Sequence, residues 1–176
     1  MNGIIANKWI VSLIILLLLS CGSSNSIDRF YELHKNDNEV LAVRVPQSML
    51  SLLGGISPEL QNIIGNTRDI RFMRFSGLPT PKIQSLSNQM NNITSSSFIE
   101  VYRKNQDAKR NVVSIREKRN LVKEILIFNH DDFNANLLYF NGDFDPAKVR
   151  KMAENEQFNE MSETLFSQFS GPVPIE

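Results

Sequence analysis

Apolar residues recur at strand spacing in four close-set stretches of the second half of the chain, residues 98–104, 111–117, 121–128 and 135–140. The polar runs between them, 105–110, 118–120 and 129–132, have the composition of tight turns, so the pattern predicts a four-strand antiparallel meander. Residues 40–45, stopped by Pro46, and residues 69–75 predict two earlier strands. Helical spacing appears at Ile83, Leu86 and Met90, which predicts a helix over 82–91. Ser57-Pro58, Thr80-Pro81 and Asp145-Pro146 each set a capping side chain before a proline, the signature of a helix start. The first opens a helix to Ile64, ended by Gly65-Asn66, and the last opens one with Val149, Met152 and Ala153 on its apolar side. Residues 28–34 read as a short helix or an extended arm, residues 47–53 as a helix start, and Asn141-Gly142 as the end of the last strand.

Strands and helices are segregated rather than strictly alternating, which predicts an α+β fold: an antiparallel sheet with a C-terminal four-strand meander and helices packed mainly on one face. Alternation would place Ile125, Ile127, Leu137 and Tyr139 on one sheet face, with Lys123 and Asn141 at its wetter ends. Beyond residue 154, Phe158, Met161, Leu165 and Phe169 form an apolar stripe at spacings of three and four, and Gly171-Pro172 ends that helix. Such a stripe docks on the chain's own sheet or, as the sharper alternative, binds a partner helix-in-groove.

The first residues are of another kind. Lys8 precedes a run over 9–19 that is apolar but for Ser12 and as a helix would reach about 16 Å, about half of a bilayer's hydrocarbon core. That length suits a secretory signal peptide better than a spanning helix. Leu18-Leu19-Ser20-Cys21 resembles a bacterial lipobox, in which the chain is cut between Ser20 and Cys21 and Cys21 carries a diacylglycerol thioether as the new N-terminus. The expected organisation is a signal peptide over 1–20, a tether over 21–27, an α+β domain over 28–153, and an amphipathic helix and tail over 154–176.

Composition narrows the chemistry. Lys plus Arg and Asp plus Glu both number 19, so no overall field draws the protein to nucleic acid, and no nucleic-acid partner is expected. A single cysteine rules out an intramolecular disulfide, a cysteine-based zinc site and a CxxC redox pair. No HExxH, GxSxG, SxxK or phosphate-loop pattern occurs, and no catalytic, cofactor or metal site is expected. His130-Asp131-Asp132 reads as a solvated turn, His34 as a surface residue, and Gly54-Gly55 as a plain turn. Glu100 and Glu124 read as wet-face strand positions rather than an acid/base pair. Arg68, Arg71 and Arg74 do not form one patch, because alternation puts Arg71 on the other face.

Residues 121–128, followed by Leu137-Leu-Tyr-Phe-Asn-Gly-Asp-Phe-Asp-Pro146, resemble the closing segment of the bacterial lipoprotein family catalogued as domain of unknown function 4252. Glu124-Ile125 and Gly142-Asp143 stand where that family carries a strand Glu and a Gly-Asp turn, and the likeness runs from about Phe30 to Ala153. The resemblance implies an anchored envelope domain with no established activity. The expectation is a non-enzymatic lipoprotein held to the membrane through Cys21, with Gly22 pointing to the periplasmic face of the outer membrane, working through contacts with an envelope protein or in envelope maintenance. The alternative is a carrier of a lipid or hydrophobic peptide, which needs a roomy apolar pocket.

Overall fold

The computed structural model describes residues 26–53, 61, 63 and 65–169, without the side chains of 52, 53 and 167–169. The expected signal peptide, the lipobox, Gly54-Gly55 and the Ser57-Pro58 cap lie outside the described residues.

Helix α1 (Ile27–His34) is capped by Ser26, whose hydroxyl accepts from the Arg29 N–H, and is followed by strand β1 (Val40–Val45). A 3-10 turn over Gln47–Met49 and the short helix α2 (Leu50–Leu53) precede β2 (Thr67–Phe75) and α3 (Thr80–Thr94). The meander then runs β3 (Ile99–Gln106), β4 (Lys109–Lys118), β5 (Leu121–His130) and β6 (Ala135–Phe144). Its β4–β5 turn is a two-residue connection in which Arg119 and Asn120 both take positive φ, the backbone that matches strand twist. Helices α4 (Pro146–Glu154) and α5 (Gln157–Phe169) close the chain, and Asp145 caps α4 by accepting from the Lys148 N–H at 2.9 Å.

All six strands form one antiparallel sheet in the order β1-β2-β6-β5-β4-β3. The fold is α+β, with the C-terminal meander that the periodicity implies. The helices, however, cover both faces. Helices α1 and α3 bury Ile27, Phe30, Tyr31, Ile83, Leu86 and Met90 against one face, while α4 and α5 bury Val149, Met152, Phe158 and Leu165 against the other. Two covered faces explain why the central strands carry continuous apolar runs rather than a clean alternation.

Those runs also misled the assignment of faces. Ile125 pairs with Phe140 and Ile127 with Leu138, and all four point toward α4 and α5. Leu126, Phe128, Leu137 and Tyr139 point the other way. In Ile125-Leu-Ile-Phe128 and Leu137-Leu-Tyr-Phe140 no polar side chain interrupts the run to mark the phase, so a one-residue register difference between neighbours is invisible until the 131–134 connection sets it.

Two boundaries also move. Asn141-Gly142 does not end β6, and Gly142-Asp143 is not a turn, because the strand runs on to Phe144. A Cβ on Gly142 would lie 2.2 Å from the Asn66 carbonyl oxygen, and β2 carries an irregularity opposite it, between Thr67 and Asp69. The glycine therefore permits a close backbone approach. At the C-terminal end, Phe158, Met161 and Leu165 are 0 to 1% exposed and share one apolar cluster with Met152, Ala153 and the sheet. The stripe is a core face, not an open partner-binding surface, and residue 154 marks no boundary in the core. The Phe169 side chain lies outside the described residues.

Truncating Ile127 to Ala is expected to cost about 2 to 5 kcal/mol by chemical denaturation. Leu165→Ala should fall in the same range of about 2 to 5 kcal/mol, since both side chains meet in one core, and a silent Leu165→Ala would show that α5 is not docked.

Candidate functional site

Two polar constellations interrupt this core, one on each face of the sheet. On the α1/α3 side, Arg71 of β2 is buried, with its guanidinium 2.6 Å from a carboxylate oxygen of Asp69 and 2.6 Å from one of Asp28. Its carbon lies 5.6 Å from the ring centres of both Tyr31 and Tyr139. Burial alone would lower the Arg71 pKa, but the hydrogen bonds to Asp69 and Asp28 outweigh it and hold the group protonated. Asp69 also accepts from Arg44, at 3.0 Å. Burial, and next the nearby Glu124 carboxylate, push the Tyr139 hydroxyl far above its ordinary value, so it remains a neutral phenol. The group ties α1 to the sheet. No reacting geometry is built around it.

The second constellation lies on the α5 side. One rung of the ladder is wholly apolar, with Phe72, Leu138, Ile127 and Val113 side by side on β2, β6, β5 and β4. The next rung on the same face is Arg74, Asn136, Asn129 and Asn111. These residues sit where each strand approaches its end, and a cavity of about 570 Å³ opens between the three asparagines and α5. Asn159, Glu160, Ser162, Glu163 and Phe166 form its helical wall, and Lys104 closes one side by an ion pair with Glu156 at 2.8 Å. Glu156 is the corner between α4 and α5, where the chain turns at a φ of 57°. Lys104, and next Tyr102, hold its carboxyl below the usual range.

The amides of this rung are unusual. Asn111 Nδ2 donates to Asn159 Oδ1, but the Oδ1 atoms of Asn111, Asn129 and Asn136 are all buried without a protein hydrogen-bond partner. Among the described residues six buried side-chain polar atoms are in that state, and these three share one rung of one face. Asparagine disfavours strands, and a buried amide without a partner costs about 1 to 3 kcal/mol. At Asn129 and Asn136 an apolar residue would suit the fold better.

The residues singled out from sequence are scattered by comparison. Asp131 organises its own loop: its carboxylate accepts from the N–H groups of Phe133 and Asn134 at 2.8 and 2.7 Å. Burial raises its pKa, yet those hydrogen bonds prevail and the group titrates below the ordinary range. Its neighbour His130 directs its ring to the other face, against Phe128, and no group of three His, Cys, Asp or Glu able to hold a metal occurs among the described residues. His34 is half-buried rather than superficial, bonded to Asp37 at 2.9 Å and Gln89 at 3.2 Å with its ring against Phe30 and Phe75. Glu124 and Glu100 share a face, but α3 covers it, and each is engaged by an arginine, Arg116 at 2.8 Å and Arg103 at 2.7 Å. They form no common pocket. Arg71 does face away from Arg74, as alternation requires. The sequence places Asn111 and Asn136 in strands and Asn129 in a turn; only the register brings the three together.

Fold and site together define an α+β domain built on one six-stranded antiparallel sheet with both faces covered. The sequence profile of the family described as Domain of unknown function (DUF4252) matches residues 31–152, well over half of the chain. The chain belongs to that family. The matched stretch takes in every strand, hence the asparagine floor, and stops before α5, the helix that roofs the cleft. No curated protein and no solved structure matches the chain.

Two outcomes follow from these geometries. Arg71→Ala should cost about 3 kcal/mol, at the low end for breaking a buried pair because Asp28 is 77% exposed and Arg44 still serves Asp69; urea denaturation reads it. Because the folded Asp131 carboxyl has a lowered pKa, its contribution is present above the ordinary aspartate value near about 4 and is lost as pH falls through the folded value. Amide exchange at Phe133 and Asn134 should therefore accelerate in acid beyond the intrinsic trend, and Asp131→Ala should show the fast exchange already at neutral pH.

Proposed function

We propose that this chain is a lipid-anchored domain of the bacterial envelope that works by binding rather than by catalysis, and that its binding surface is the asparagine-floored cleft under α5. The observation that carries the reading is the rung of three amides whose oxygens no protein group satisfies, at positions where the adjacent rung is apolar. Features that cost a fold stability without serving its packing concentrate at functional sites. Anchoring rests on the lipobox-like Leu18-Leu19-Ser20-Cys21, and the outer membrane is favoured by Gly22. A tethered domain with an open cleft fits contact with another envelope component, in an interaction or maintenance role.

The carrier of a lipid or hydrophobic peptide finds less support. The inward residues of β2, β5 and β6 on both faces, among them Phe72, Met73, Ile125 and Phe140, are fully buried against helices, and the cleft of about 570 Å³ is lined by amides and charges.

Cys21→Ser should move the protein from the membrane fraction to the soluble periplasm, because a diacyl anchor supplies about 0.8 kcal/mol per buried methylene. Protein that stays membrane-bound after signal cleavage would refute the anchor. For the cleft, Asn129→Leu should leave the thermal midpoint unchanged or raise it, since the amide serves binding and not folding. A loss above about 2 kcal/mol would make the row a structural network and sink the binding reading.

A further inference from the structure

We infer that the cleft under α5 takes a neutral saccharide; this rests on the cleft being a binding site at all. Charge argues first. Lys104 and Lys109 stand around the cleft with Asp131, Glu156, Glu160 and Glu163, so cations and anions face the ligand together. Lys104 is engaged by Glu156 at 2.8 Å, and Asp131 is occupied by its own loop. No single sign of potential is left to select a phosphate, an acidic peptide or an amine.

The amides argue second. No protein donor holds the oxygens of Asn129 and Asn136 in place, and the terminal torsion of asparagine is broad, so each amide turns either its N–H groups or its carbonyl toward the cleft at little cost. A hydroxyl is the ligand group that both donates and accepts, and it matches an amide in either orientation without charge. Neighbouring strands repeat at about 4.8 Å, so asparagines on adjacent strands present a row of such groups at the scale of hydroxyls across a sugar ring.

Shape argues third. The cavity of about 570 Å³ falls in the range of small-molecule sites and holds one or two sugar rings. Phe166, 5% exposed and braced against Phe72 in a T-shaped contact at 5.5 Å, closes the apolar end of the wall.

The test uses the full-length anchored protein in detergent, titrated with neutral di- to tetrasaccharides of the β-1,4-gluco, α-1,4-gluco and N-acetylated β-1,4-gluco series while its side-chain amide resonances are followed by NMR. At least one series should shift the Asn129, Asn136 and Asn159 side-chain signals saturably with a Kd of about 1 mM or tighter. Raising the salt should leave that affinity unchanged, as for an uncharged ligand. The double variant Asn129→Leu/Asn136→Leu should weaken it at least about tenfold without lowering the thermal midpoint. Saturable shifts confined to other residues, or no shift with any series, would overturn the saccharide assignment. If a neutral tetrapeptide of alanine then shifts the same amides, the cleft stands as a binding site and only the ligand class is wrong. If the double variant is instead destabilised and no probe shifts the amides, the binding reading falls with it.

Discussion

The structure depends on the requirement that the central strands bury both of their faces. Strands β2, β6 and β5 carry large apolar side chains on each side, Phe72 and Ile70 toward α5 and Met73 and Phe75 toward α3. At about 25 cal/mol per Å² of apolar area removed from water, leaving either face open would forfeit a large part of the driving force. Every other element answers that demand. Helices α1 and α3 close one face, and α4 and α5 close the other, which is why α5 is part of the domain although the family match ends before it.

Much of this arrangement was legible in the sequence, and the failures share a cause. The six strands, the helix at Ile83, Leu86 and Met90, and the Asp145-Pro146 cap are local signals, decided within a turn or a strand. What went unread depends on pairing between distant segments. The faces of Leu137 and Tyr139 were misassigned because a strand buried on both sides carries no polar marker of its phase. Gly142 looked like a stop because its role, room for the Asn66 carbonyl, belongs to a contact with β2. The site follows the same logic. Asn111, Asn129 and Asn136 are spread over 25 residues of sequence, the first and last at the starts of expected strands and Asn129 in an expected turn. Only the register of β4, β5 and β6 lines them up.

The two polar constellations differ in how fully their groups are used. Around Arg71 every strong interaction is matched: two carboxylates, two aromatic rings and a neighbouring arginine that shares Asp69. A satisfied network of this kind specifies where α1 sits and leaves no group over for a ligand. In the asparagine rung the opposite holds, because the amide oxygens face no protein donor and the helix above them leaves an open space. Similar polarity, differently completed, separates the part of the domain that fixes its shape from the part that is free to engage something else.

The strand order carries a consequence for how the chain reaches this state. Strand β2 is made early in the sequence, yet its central neighbour is β6, the last strand to appear, with Phe72 opposite Leu138. A chain emerging from its N-terminus can form α1 and the β1–β2 hairpin at first, with the face that α4 and α5 later close left uncovered. The meander is local and quick to assemble, whereas the β2–β6 seam must close a long loop and is the slow step. Until that seam forms the early half of the domain is a sticky, unfinished surface, so the vulnerable interval in this protein's life is set by the time that its last quarter takes to arrive.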